Sequence, residues 1–241
     1  MPVWALTNAG IYVDSHDFTG DSNQVRIQCE ATQLDRTTFR SGGWTESNMG
    51  AKTSTLTASG FGSFGADSVD EWTWNNFGGT GKVVTVAGIE EEGQPALMVQ
   101  SMPTNFGTGG TYNENMPYAL NGVCSDAQGV IRGRLLKEQG TVSATGATGT
   151  AVQVGATGAS QFLYATFHVL GTPGTTITAV VESDDSNTFA TATTRITFGP
   201  YTTAGGRWAT RVAGAIADDW YRLRVTAITG TFLIACAVGV Q

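Results

Sequence analysis

Of 241 residues only three are lysines (Lys52, Lys82, Lys137), against ten arginines and twenty acids, and the formal net charge is −7. A protein that grips nucleic acid by neutralising phosphates needs a basic surface, so this balance excludes that class. Histidine is scarcer still: His16 and His168 are the only imidazoles, which starves most acid–base and metal schemes. No run approaches the ~18 apolar residues of a membrane-spanning helix, and residues 1–7 have neither the basic start nor the apolar stretch of a secretory leader. The three cysteines, Cys29, Cys124 and Cys236, are odd in number, far apart and without Cys-x-x-Cys spacing. They frame neither a disulfide scaffold nor a zinc site. Cys29 and Cys236 share strand faces with apolar neighbours and are expected as buried thiols in a reducing cytoplasm. The six prolines and 32 glycines show no collagen period and stay below the composition of disordered chains.

What is present is enough apolar material for a core, 41% of residues, arranged mostly with a period of two. Val25, Ile27, Cys29 and Ala31 alternate with Arg26, Gln28 and Glu30, the pattern of a half-buried strand. Strand-like runs recur at 53–61, 82–88, 95–102, 118–124 and 130–137. One helix is predicted over 68–77, where Ser68 and Glu71 have capping-box spacing, Asp70 suits the first turn and Gly78-Gly79 stops the element. Val69 and Trp72 should bury one face of it. Beyond residue 160 the sequence reads as strand throughout, at 162–170, 175–182, 190–198, 207–213, 220–227 and 232–240, separated by Gly- or Asp-rich turns. Tyr221, Leu223 and Val225 should face a core; Trp220, Arg222 and Arg224 should face away. This is the signature of a β-sandwich or jelly roll.

The charge divides the chain. Residues 1–139 hold fifteen acids and eight bases, whereas residues 140–241 hold five of each. The change coincides with a Gly/Ala/Thr stretch in which Ala-Thr-Gly recurs at 144–146, 147–149 and 156–158. This predicts a mainly β fold in two parts: a first domain over 1–139 with one flanking helix, a linker or first strand over 140–160, and a β-sandwich over 161–241.

Nothing resembles a catalytic constellation. There is no Gly-x-Ser-x-Gly, no His-Glu-x-x-His and no Walker sequence. Asp14, His16, Asp17 and Asp21 share one loop and read either as a divalent-cation site or as a solvated acidic loop. Asp184, Asp185 and Asn187 read as turn residues, since the glycine and terminal glutamate of an EF-hand are missing. Adjacent carboxylates of the run Glu90-Glu91-Glu92 point to opposite faces of a strand and cannot flank one glycosidic bond. His168, inside a predicted strand, reads as a histidine satisfied by a neighbour. Trp208, Trp220, Arg222 and Arg224 read either as an aromatic–arginine surface for a sugar or partner or as an ordinary solvated face. No enzyme, cofactor or metal is expected.

One succession of motifs carries a resemblance. Asp17-Phe18-Thr19-Gly20-Asp21 leads into the alternating strand; Leu34-Asp35-Arg36-Thr37-Thr38-Phe39, a glycine-rich loop and Gly50-Ala51-Lys52-Thr53-Ser54-Thr55-Leu56-Thr57 follow; then come Gly60-Phe61 and the helix. In order and spacing this resembles the tail tube (major tail) proteins of long-tailed bacteriophages over residues 17–77, and more loosely to about 139. Glu182-Ser183-Asp184-Asp185, Phe189, Thr197-Phe198 and Tyr221-Arg222-Leu223-Arg224-Val225 resemble the sandwich domains that decorate phage tail proteins.

The resemblance implies a tube subunit of two packed sheets and a flanking helix, joined edge to edge into hexameric rings that stack into a tail. The loop 37–52 would be the stacking loop, kept mobile by Ser41-Gly42-Gly43 until it meets the next ring. Phe39 and Trp44 would anchor it, and Asp35, Arg36, Arg40, Glu46 and Lys52 would make ring-to-ring ion pairs. Its partners would be copies of itself and other tail proteins, in a virion assembled in the host cytoplasm, with no membrane. Glu90, Glu91 and Glu92 become candidate lumen acids, since an acidic wall repels DNA and lets it pass without specific binding. The alternative is a virion decoration or adhesion protein that binds host glycans or capsid through the sandwich.

Overall fold

The computed structural model describes residues 7–65, 68–107 and 109–241. Along the chain run β1 (Gly10–Val13), β2 (His16–Asp17), β3 (Ser22–Asp35), β4 (Ser47–Phe61), α1 (Val69–Asn76), β5 (Lys82–Ala87), β6 (Pro95–Pro103), β7 (Pro117–Cys124) and β8 (Ile131–Val142). They are followed by β9 (Gly146–Gln153), β10 (Phe162–Leu170), β11 (Thr176–Asp184), β12 (Thr193–Tyr201), β13 (Gly205–Trp208), β14 (Val212–Ala213), β15 (Trp220–Thr229) and β16 (Phe232–Val240). Among the described residues the chain is mainly β with one short helix, as its period-two patterning implies.

Two sheets hold these strands. The large one runs β13-β10-β16-β8-β6-β5-β1-β2, with a branch in which β7 pairs β6 and β4, and β4 pairs β3. The fork lies in β6: Pro95–Met98 pair with β8, and Ser101–Pro103 pair with β7. The path curls until β13 lies against β5. The smaller sheet runs β12-β11-β15-β9.

Three cores separate the layers. Between the small sheet and β8, β10 and β16 lie Leu163, Phe167, Ile196, Phe198, Tyr221, Leu223, Phe232 and Ile234. The Phe167 and Phe198 rings stack across this gap at 5.1 Å. Inside the curl of the large sheet lie Tyr12, Met98, Ile131, Leu135, Tyr164 and Ala235. Between β1 and β5 on one side and β4, β7 and α1 on the other lie Ile11, Phe18, Leu56, Trp72, Val84 and Leu120. Each such large side chain stabilises the fold by about 1.5–3 kcal/mol. β10 and β16 therefore have both faces buried, which is why Phe162–Leu170 and Phe232–Val240 read as nearly unbroken apolar runs.

The helix follows its local signals. The Ser68 side chain accepts from the Glu71 N–H, Asp70 and Glu71 occupy the first turn, and Gly78 just beyond has φ 67°. Val69 and Trp72 are buried, with Trp72 edge-on to Phe18 at 5.2 Å.

The point near 139–140, expected to divide two domains, falls within β8. That strand pairs β6 on one side and β16 on the other. The stretch 140–160 contains the end of β8 and all of β9, an outer strand of the small sheet. Residues 161–241 share the large sheet with residues 10–142 through β10 and β16.

Candidate assembly surfaces

β3 and β4 pair along almost their whole lengths, from Ser22↔Gly60 to Asp35↔Ser47. β7 supports β4 only from Thr55 to Phe61. The far half of the hairpin is therefore a two-stranded ribbon with solvent on both faces. Among the described residues no strand pairs with the other edge of β3. Cys29 lies on this ribbon and is exposed, while Cys236 is buried, so the expectation of a buried Cys29 is corrected. The alternation is real, but no layer lies behind it at that point. Val25 and Ile27, nearer the root, do pack on a core.

The loop at the ribbon's end is folded on itself. Arg36 N donates to Glu46 O, Thr37 N to the Asp35 carboxylate, Glu46 N to Thr37 Oγ1, and Trp44 N to Ser41 O. The Thr37 hydroxyl and N–H hold the Asp35 carboxyl below its ordinary value. Gly42 and Gly43 supply the positive φ values, 62° and 85°, that turn the chain. Phe39 is fully exposed and Trp44 is 81% exposed, with Leu34 and Met49 exposed beside them on the ribbon. Glu46 pairs with Arg36 at 3.1 Å inside the loop. Arg40 and Lys52 have no ion-pair partner among the described residues.

The acidic run forms the turn between β5 and β6. Glu90 accepts from the Tyr12 hydroxyl at 2.6 Å, and burial raises its carboxyl above the ordinary value. Glu92 pairs with Lys137 at 3.0 Å and accepts from Thr150 N. Of the three, only Glu91 is exposed.

Of the aromatic–arginine group, Trp208 is set apart from the other three. Trp208 lies on β13, donates from Nε1 to Gln128 at 3.1 Å and faces Tyr164 on the inside of the curled sheet. Trp220, Arg222 and Arg224 lie on the outer face of the small sheet. Arg222 donates to the buried Glu182 carboxylate from Nε and Nη2 at 2.8 Å, and Arg224 donates from Nη1 at 3.4 Å. The Arg222 guanidinium also sits 4.3 Å above the Phe189 ring. Asp184, expected in a turn, is the last residue of β11, and its carboxylate accepts from Ser186 N and Thr191 N in the turn that follows.

Two features escaped the sequence reading. One is a junction at Asp14, whose carboxylate meets Lys82 Nζ at 3.2 Å and Gly206 N at 2.8 Å while its carbonyl meets His168 Nδ1 at 2.9 Å. The other is an exposed aromatic group around α1. Trp74 is 62% exposed and edge-on to Phe106 at 5.0 Å, and Phe64 and Phe77 are exposed nearby. The tight aromatic spacing Trp72-Trp74-Phe77 was its signal, since an eight-residue helix cannot bury all three on one face. Among the described residues there is no group of three His, Cys, Asp or Glu side chains fit for a metal ion, and no helix is long and apolar enough to cross a membrane.

No protein-family model and no curated protein matches the chain. Among solved structures it is similar to a component of the virion of a native gene transfer agent particle, with 21% identity, 52% of this chain and 96% of that one covered, and a TM-score of 0.42. A chain from the tail of the empty gene transfer agent particle gives 21% identity, 44% and 79% coverage, and 0.38. The phage SPP1 Dit protein, from a hub adsorption apparatus, is similar along 98% of this chain and all of its own, at 14% identity and a TM-score of 0.38.

Proposed function

We propose that this chain is a structural subunit of a phage tail, assembling with copies of itself into hexameric rings that stack into a tube and let DNA pass without binding it. The observation that carries the reading is the β3–β4 ribbon. A monomer gains nothing from a long strand with an open edge and an apolar, internally braced tip. Such an edge is a template for pairing and such a tip is an anchor. The order of motifs over 17–77 supports the same role. The net charge of −7 suits a channel wall that repels phosphates, and Glu91 is the member of the acidic run free to contribute. Glu90 and Glu92 serve instead to fasten the β5–β6 turn.

Electron microscopy of the purified full chain tests the proposal, with rings or tubes expected. Dispersed monomers at every concentration would overturn the assembly reading. A tube with a basic lumen would overturn the passage of DNA.

A further inference from the structure

We propose that the tip of the β3–β4 hairpin docks on the exposed aromatic face of α1 in a second copy of the chain, head to tail. This rests on the self-assembly proposed above and adds the surface that receives the tip.

α1 buries Val69 and Trp72 and turns Trp74 outward. Phe106 meets Trp74 edge-on, and Phe64 and Phe106 line one crevice together with Val69, Asp70 and Tyr118. With Phe77 half exposed at the end of the helix, this makes an aromatic surface around α1. Its charge is of one sign: residues 62–81 and 103–118 include Asp70, Glu71 and Glu114 and contain no lysine or arginine. The tip is the complement. It presents Phe39 and Trp44 together with Arg40, while its two carboxylates are held within the loop, Glu46 by Arg36 and Asp35 by Thr37. An apolar tip carrying the unpaired Arg40 thus faces an apolar, acidic surface.

Geometry decides that the contact joins two copies. The tip precedes Ser47, and the crevice begins at Gly62, whose N–H donates to Met116 O. Tip and crevice lie at opposite ends of β4, whose 15 residues span about 46 Å, so the tip cannot reach its own crevice. A contact between unlike surfaces at opposite ends of one strand repeats along that strand and does not close after two copies.

Two full-length variants test this. F39S/W44S removes the tip anchors and keeps the crevice; W74S/F77S does the reverse. All four side chains are exposed, and an unchanged near-ultraviolet circular dichroism spectrum checks the fold. Each variant alone should need about tenfold or more higher concentration to stack and should sediment as a single ring or a monomer. Mixed, they should yield a species of twice that mass and no longer one, because each supplies only one half of the contact. If the unaltered chain stacks but the mixture never doubles, the docking is overturned and self-assembly stands. If the unaltered chain never associates, both fall. Arg40→Glu removes no apolar surface and should weaken stacking several-fold at low salt; unchanged stacking would overturn the charge pairing.

Discussion

Asp14 takes a φ of 55° at a point where three segments converge: Lys82 at the start of β5, Gly206 in β13 and His168 in β10. The Asp14 carbonyl can only accept, so His168 Nδ1 carries the proton and Nε2 accepts from Thr85 Oγ1 at 2.9 Å. Thr85 in turn accepts from Thr166 at 2.8 Å. Burial lowers the His168 imidazole from its ordinary 6.5 to about 4. Below pH 6.5 the unfolded chain binds this proton and the folded one resists it. The stability is thus present in full above pH 6.5 and falls towards pH 4, by about 3 kcal/mol. Urea unfolding at pH 7, 5.5 and 4.5 should show the decline, and His168→Gln should begin less stable but lose less with acid. His168 was legible as a satisfied strand histidine. Asp14 was not, because its partners lie far away in sequence. The cysteines give a second check: a maleimide should label Cys29 in the native protein, whereas Cys236, buried and with its thiol pKa raised, should react only on unfolding.

Among the elements, α1 was the most legible because its stop and start signals are local. Ser68→Ala should cost about 1 kcal/mol, read as a shift in the urea midpoint, since it removes the acceptor for Glu71 N. The ribbon teaches the opposite lesson. Val25, Ile27, Cys29 and Ala31 share one periodic pattern, yet only the first two have a layer to pack against. Periodicity shows which way a side chain points and is silent on what stands there. The same holds for Arg222 and Arg224, correctly placed on the outer face of β15 but held by Glu182 from the neighbouring strand β11.

At the scale of the whole molecule, β8, β10 and β16 make the acidic and neutral halves one structure. Calorimetry should therefore show one cooperative unfolding transition, where two independent domains would give two. Truncation after residue 140 should leave a chain that does not fold, with flat near-ultraviolet circular dichroism, because it strips β16 from β8 and one wall from the core inside the curled sheet. The charge step near residue 140 was visible in the sequence; its bearing on the fold was not, because charge records what faces solvent and the sheet runs on beneath it. The central place of β16 also has a bearing on timing. During synthesis the strand that completes two of the three cores is made after its neighbours β8 and β10, so a nascent subunit stays unfinished until residue 240 has emerged. The chain thereby delays its own competence, and until β16 has emerged a nascent subunit lacks the finished frame that holds the ribbon out to a neighbour.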